Sequence, residues 1–555
     1  MEETKMKKNI SIAFAAMLVG LAISCQKEEL VSDKTDAVQY TLNINVNDQA
    51  GFDNDATTKG GSSESRKTAW ESGDRIFLFF KPFDGDNLLK EYATLKYNGS
   101  SWVEEKSLTT SNLKEGLLSA VYVYNLGSDV TPIYSENDDK WTIETGNTFY
   151  NCHTIFYTVS GNVISASLNL EAPADFVQFY VANATGVLTC DQVKGWKDIA
   201  IGSDMAFSNV TCTGYMDGFD NSGDKNVKEY YGRIVDGGTS LKDVECAFSV
   251  VKNGKVHEHT ATPSSDAKSF KMSTSATGEQ AWTEAKGKLP GLFSVEAGML
   301  IRFSKGNLYY DGSKFNFEAN QYDTTPASND SWSTDHISHF YWCKSAGESI
   351  RQIYIDSDAN DVFFTNETET TAKTSFSVDV DGKEQTGWRT LSTAEWQYLF
   401  SYDGTEGGSE PNGTNYDNVT RRGKYKYGVT ICGKANCVVL LPDNWEWDET
   451  ADEHNVGIGW QTEGYPETQT SNEVTWEVME NAGAVCLPAA GYRSDSFVID
   501  VSSKGYYWSS TAGGSRNAYH VCFDSGSVTP GSLGEHYFGF SARLITEYQS
   551  APSAE

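Results

Sequence analysis

Side chains able to do chemistry are unevenly spread along the 555 residues. The densest group lies between Trp508 and Phe540, where Trp508, Arg516, Asn517, Tyr519, His520, Asp524, His536 and Tyr537 are interrupted by glycines and serines. Aromatic planes beside amide, carboxylate and guanidinium groups can stack on a sugar face and bond its hydroxyls, or anchor a protein partner. The pairs His257-Glu258-His259 and His336-x-x-His339 have metal-like spacing, yet neither has further ligands nearby, which favours surface or packing roles. Cys432 and Cys437 flank four residues between the apolar runs Tyr425 to Ile431 and Val438 to Leu441. A hairpin there would set them face to face, so a disulfide or two buried thiols is favoured over metal. No Ser-His-Asp spacing, phosphate-cradling glycine loop or paired-carboxylate motif stands out. The chain therefore reads as a non-enzyme with no cofactor.

The elements that would present these groups begin outside the cell. Met6 is followed by Lys7 and Lys8, then an apolar run from Ile10 to Ile23, then Ser24-Cys25. That is the order of a signal peptide, and the run of about fourteen residues is shorter than the roughly 18 to 20 that span a bilayer. Ala22-Ile23-Ser24-Cys25 resembles a lipobox, which implies cleavage before Cys25 and a diacylglyceryl group on it, with two acyl chains for stable anchoring. Gln26-Lys27-Glu28-Glu29 resembles an acidic surface-export tag, implying an outer-membrane, surface-exposed lipoprotein. With 44 basic against 76 acidic side chains the net charge is −32, which disfavours nucleic acid and anionic headgroups as partners. Contact with the membrane is then through the lipid alone. Ten cysteines less the lipidated one leave an odd number, so at least one thiol is unpaired within the chain.

Residues 25–37 read as a tether. Val38 to Val46 then alternates apolar and polar residues, the pattern of a strand buried on one face. A polar loop, Asp53 to Lys67, ends in Arg66-Lys67-Thr68-Ala69-Trp70-Glu71-Ser72-Gly73-Asp74-Arg75-Ile76. This phrase resembles the start of fimbrillin-like proteins, and Leu118 to Tyr124 and Val163 to Leu170 leading into Phe176-Val177-Gln178-Phe179-Tyr180 are further matches in kind. The resemblance implies two β-sandwich domains, 38–171 and 172–285, and a role in fimbria assembly or adhesion. It also implies that a cut after Arg66 or Lys67 could release the first strand and open a groove for a strand from another fimbrial subunit. The competing reading of Arg66 and Lys67 is a pair of solvated loop charges.

A short polar connector, 286–291, leads to a region of different texture. Ser392-Thr393-Ala394-Glu395 and Thr470-Ser471-Asn472-Glu473 have the form of capping boxes, and Gly483 is placed to end the second helix. Two modest helices among short strands predict an α+β domain, 292–548, in an otherwise mainly β chain. Phe303 to Leu308, Phe317 to Asp323, Trp388 to Leu391, Leu440 to Trp445, Leu487 to Arg493, Gly505 to Ser510 and Ser541 to Leu544 together resemble the major-paralogous-domain family. That family is related to the C-type lectin-like fold and distantly to formylglycine-generating enzymes. The resemblance implies a ligand face on the C-terminal strands, with an extracellular glycan or a host or bacterial surface protein as partner. Because Tyr506, Tyr507, Trp508 and Arg543 belong to the recurring pattern, they suit scaffold, and Arg516, Asn517, Tyr519, His520 and Tyr537 suit contact.

Two narrower options follow. Glu410-Pro411-Asn412 spells the triplet of calcium-dependent mannose-binding lectins, but the companion Trp-Asn-Asp is absent, leaving Glu410 and Asn412 as a weak calcium option. The oxidase relatives use two close cysteines, whereas Cys486 and Cys522 each sit in an apolar run where an inert buried thiol is expected. The combined reading is a surface adhesin or accessory fimbrial tip or anchor protein. A glycan-capture lipoprotein for polysaccharide uptake is the alternative.

Overall fold

A computed structural model describes residues 37–47, 70–124, 130–146, 150–208, 212–220, 224–296, 299–326, 328–331, 336–342, 376–400, 425–445, 470–471, 473–494, 497–514 and 517–549. The chain is mainly β, and its two described α-helices, Thr393–Leu399 and Glu473–Asn481, both lie in the C-terminal part. Cys25, Arg66, Lys67, Glu410, Asn412 and Arg516 fall outside the described residues.

The strand Val38–Val46 turns Tyr40 and Val46 into the core. It lies parallel to Val163–Leu168, with Thr41 opposite Val163, and its first three residues pair antiparallel with Leu108–Thr110. The Tyr40 hydroxyl accepts the Leu113 N–H at 2.8 Å, tying the strand to the loop beyond. Further into the same eight-stranded sheet, Arg75–Pro82 buries five consecutive residues, Ile76 to Phe80. Such a run marks a strand covered on both faces. The turn before it explains the Trp-x-x-Gly-Asp-Arg phrase. Gly73 takes φ +107°, the Asp74 carboxylate accepts the Glu71 N–H at 2.7 Å, and Trp70 packs edge-on against Trp102 and Tyr122, each at 5.0 Å.

Residues on both sides of the expected join at 171/172 share a sheet and a core, while a second core, with Val177, Phe179, Tyr230 and Phe248, lies wholly after it. Asp198–Ile201 pairs with Lys140–Glu144 in a four-stranded sheet drawn from both sides of it. Trp196, Ile199, Ile201 and Tyr231 share one hydrophobic core with Trp141, Ile143 and Tyr150. Alternating apolar residues say that a face must be covered, without saying which distant strand covers it.

The polar connector at 286–291 is packed along its second half. Leu289, Pro290, Gly291 and Leu292 are buried. The fully buried Arg302 donates to the Pro290 carbonyl and, at 3.3 Å, to the Ser249 hydroxyl of the preceding unit. Val187, Tyr215, Leu292 and Leu300 close a small core across the same junction. Lys288 and Glu258 add an ion pair at 2.7 Å on its rim.

In the C-terminal unit the two ends meet, since Met299–Phe303 pairs antiparallel with Ile545–Gln549. The terminal sheet, Gly505–Ala512, Asn517–Phe523 and Val528–Glu535, lies between two cores. Tyr507, Val521 and Phe523 face one core with Trp396 of the first helix, and Trp508, Ala518 and Phe540 face the other. That helix starts at the expected capping box: Ser392 Oγ accepts the Glu395 N–H at 3.2 Å, and the Glu395 carboxylate accepts the Ser392 N–H at 2.6 Å. At the second such sequence the backbone at Thr470 and Ser471 is extended. Thr470 and Ser471 are strand residues opposite Thr430 and Ile431, and the helix begins only at Glu473. Gly483, at φ +103°, ends it, with its N–H on the Glu480 carbonyl at 2.9 Å.

Candidate ligand-binding surface

The middle strand of the terminal sheet distributes the predicted contact residues by parity. Asn517, Tyr519, Val521 and Phe523 point to the side of the first helix, and Ala518, His520 and Cys522 to the other. On the helix side, Thr393 Oγ1 and Ser509 Oγ are 2.9 Å apart and the Thr393 N–H donates to Thr511 Oγ1 at 3.0 Å, so the helix is stitched along one stretch of the sheet. Outside that cover, Asn517 pairs across the strands with Glu535 and Tyr519 with Leu533. Leu533 is 54% exposed, Glu535 is exposed, and Asn517 and Tyr519 are half-buried. These four residues form a small amphipathic patch with an aromatic ring, an amide, a carboxylate and an apolar side chain.

Sequence reasoning missed Leu533 and Glu535. Their signal is the cross-strand register, which places them opposite the two residues that were found and which one sequence does not reveal.

The opposite side is packed. Trp508 is fully buried and its indole N–H donates to the Phe340 carbonyl at 2.7 Å, so it is scaffold. His520 is 5% exposed, with its ring 4.6 Å from Phe540 and 6.0 Å from Trp508. Its Nδ1 has no hydrogen-bond partner in this apolar setting, and burial pushes its pKa down to about 4. A neutral ring closed off from solvent cannot be a surface contact, which corrects the expectation for His520. His536 is likewise buried and stacks on Trp342 at 6.1 Å. Asp524 holds a turn, its Oδ1 accepting the Gly526 and Ser527 N–H groups at 2.8 and 3.0 Å. Tyr537 is half-buried against Phe538 at 4.7 Å, in the loop that follows Val528–Glu535. The predicted group is therefore divided between a covered face, a turn, a separate loop and one open patch.

The cysteines and histidines also separate. The hairpin Tyr425–Ile431 and Lys434–Leu440 forms, but Cys437 lies opposite Val429 while Cys432 sits in the turn at φ +48°. Both are free thiols, Cys437 buried and Cys432 half-buried, so of the two expected alternatives the disulfide is not formed. Cys437 instead neighbours Cys486 in a shared apolar core, where burial pushes the Cys486 thiol up. Cys522 lies beside Tyr506 on the terminal sheet, with its pKa pushed up to about 11 by burial. Cys486 and Cys522 are not brought together, and neither setting favours a thiolate.

His336 stacks on Tyr309 at 3.9 Å and meets the buried Glu318 carboxylate at 2.7 Å. His339 bonds the Ala490 carbonyl at 3.0 Å and is pushed down to about 4 by burial. His257 and His259, two residues apart, lie on the same face of their strand, where His257 is half-buried and His259 is buried and packs on Trp282 at 5.3 Å. Among the described residues no three or more side chains converge as a metal site, and no described helix is long and apolar enough to cross a membrane. One further buried polar residue, Lys426, was not anticipated. Its ammonium is pushed down to about 7 by desolvation inside the hairpin strand.

No protein-family model matches the chain, and no curated protein matches it. Among solved structures it is similar to a fimbrial assembly protein from Parabacteroides distasonis, at 10% identity and TM-score 0.24 over 48% of this chain and 97% of that one. It is similar to the fimbrial anchor protein Mfa2 from Porphyromonas gingivalis, at 9% identity and TM-score 0.23 over 44% of this chain and 95% of that one. A fimbrial protein from Bacteroides ovatus aligns over 92% of this chain and 99% of that one, at 11% identity and TM-score 0.19. TM-scores of this size assign neither a common fold nor a function.

Proposed function

We propose that the chain is a lipid-anchored cell-surface protein that works as an adhesin or accessory fimbrial component, contacting an extracellular glycan or surface protein through the terminal sheet. The observation that carries this reading is the open patch of Asn517, Tyr519, Leu533 and Glu535 on a sheet otherwise covered on both faces. An exposed aromatic and aliphatic pair held on rigid strands, rimmed by an amide and a carboxylate, has the make-up of a recognition surface. The anchor end of the reading rests on the signal sequence and Cys25.

The first strand supports the fimbrial part of the proposal. Val38–Val46 is held by parallel pairing on one side and by three residues on the other. Loss of that strand after a cut at Arg66 or Lys67 would expose the edges of Val163–Leu168 and Leu108–Thr110. An extended segment of another subunit could then bond there.

The test uses a deletion strain restored with the full chain or with Cys25→Ala. Adherence to immobilised extracellular glycoproteins and recovery of fimbriae from the cell surface are both measured. The proposal expects the full chain to restore at least one of them and Cys25→Ala to restore neither. Equal performance of wild type, deletion and Cys25→Ala would contradict it.

A further inference from the structure

A second surface stands apart from the terminal sheet. Phe83 and Phe156 in the N-terminal unit are 57% and 67% exposed, and their rings lie 5.7 Å apart at 51°. Their outward position follows from the strands. Phe156 belongs to Tyr150–Ser160, whose next residue, Tyr157, fills the inward position and packs edge-on against Phe80 at 5.4 Å. Phe83 follows Arg75–Pro82 and is fixed by its N–H on the Glu115 carbonyl at 3.0 Å. Both rings are thus held by backbone that is itself well packed. Beside Phe83 is an open, shallow depression of about 490 Å³ lined by Phe83, Asp84, Leu113, Lys114, Glu115 and Val159, with Phe156 on its Phe83 side.

We propose that this groove binds a neutral saccharide, independently of the terminal sheet. An exposed phenyl ring can stack on the C–H face of a pyranose, while the Asp84 and Glu115 carboxylates accept hydrogen bonds from its hydroxyls and Lys114 donates one. Two carboxylates against one ammonium disfavour a sulfated or otherwise anionic sugar, and the net charge of −32 acts in the same direction. A purely lipophilic ligand would leave three charged side chains facing it unpaired. A protein partner needs a face of roughly 800 Å², whereas the depression here is lined by six residues.

The experiment uses the full chain as wild type, Phe83→Ala, Phe156→Ala and, as a control exposed aromatic elsewhere, Phe497→Ala. Probes are immobilised tetrasaccharides of glucose, mannose, galactose and N-acetylglucosamine, with a sulfated tetrasaccharide as the anionic arm. At least one neutral probe should bind, with affinity falling roughly tenfold or more in Phe83→Ala and Phe156→Ala and unchanged in Phe497→Ala. The same binding should survive Tyr519→Ala, so that failure of the terminal-sheet proposal and failure of this one are distinguishable. The proposal is overturned if no neutral probe binds, if the sulfated probe binds more tightly, or if binding survives loss of both rings. It is also overturned if wild type self-associates in sedimentation and Phe156→Ala does not, which would make the surface an interface between copies.

Discussion

The two faces of the terminal sheet draw on similar residue types and differ in what lies against them. On one face His520 and Trp508 are sealed under Phe540. On the other, beyond the reach of helix Thr393–Leu399, Tyr519 and Leu533 stand at the surface. A histidine beside an aromatic thus reports burial in one case, while a tyrosine one residue away marks the open face. What separates them is parity within a strand and the extent of the cover, and residue chemistry alone carries neither.

Substitutions can break this contrast, and the largest effect is expected at the sealed face. Trp508→Ala should cost about 3 to 5 kcal/mol by removing a fully buried indole, read as a lower urea midpoint with unchanged slope. Acid should come next. His520 and His339 both have folded-state pKa values near 4, below the unfolded value of about 6.5. The unfolded chain therefore binds protons first as pH falls. The stability of the neutral rings is complete above about pH 6.5 and is lost between there and about 4, by about 3 kcal/mol for each histidine. His520→Leu should flatten part of that decline in denaturant melts from pH 7 to 4. A stability profile level through this window would contradict the sealed setting.

Ser392→Ala should cost about 1 kcal/mol, since it removes one half of the capping box that starts the helix covering the sheet. The same variant should raise amide exchange in Thr393 to Leu399. The smallest stability effect belongs to the open face, where Asn517→Ala and Tyr519→Ala should stay within about 0.5 kcal/mol of wild type.

Much of the scaffold was legible. The alternation of Val38 to Val46 predicts the half-buried strand, and Ser392 to Glu395 predicts the helix start, because both signals are local. Thr470 to Glu473 has the same local form, but Thr470 and Ser471 are strand residues paired with Thr430 and Ile431, forty residues away, which a local signal does not show. Long-range pairing also hid the interlock of Asp198–Ile201 with Lys140–Glu144. It placed Cys437 beside Cys486 and left Cys432 in the turn. At the candidate site Asn517 and Tyr519 were predicted by type, and both are half-buried on the helix side of the sheet. His520 and His536 were misplaced because a polar ring in a Gly- and Ser-rich stretch reads as surface, although the sheet there is covered twice. The junction shows the same limit: the connector reads as short and polar, and the burial of Leu289, Leu292 and Arg302 against their neighbours follows only from long-range packing.

The central claim is that recognition resides on the open face of the terminal sheet. Its most direct test is adherence of cells carrying the full chain with Tyr519→Ala and Leu533→Asp together, measured beside thermal melting of the same purified variant. The account predicts that adherence falls to the level of the deletion strain while the melting temperature stays close to that of wild type. Wild-type adherence by this variant at wild-type stability would contradict it.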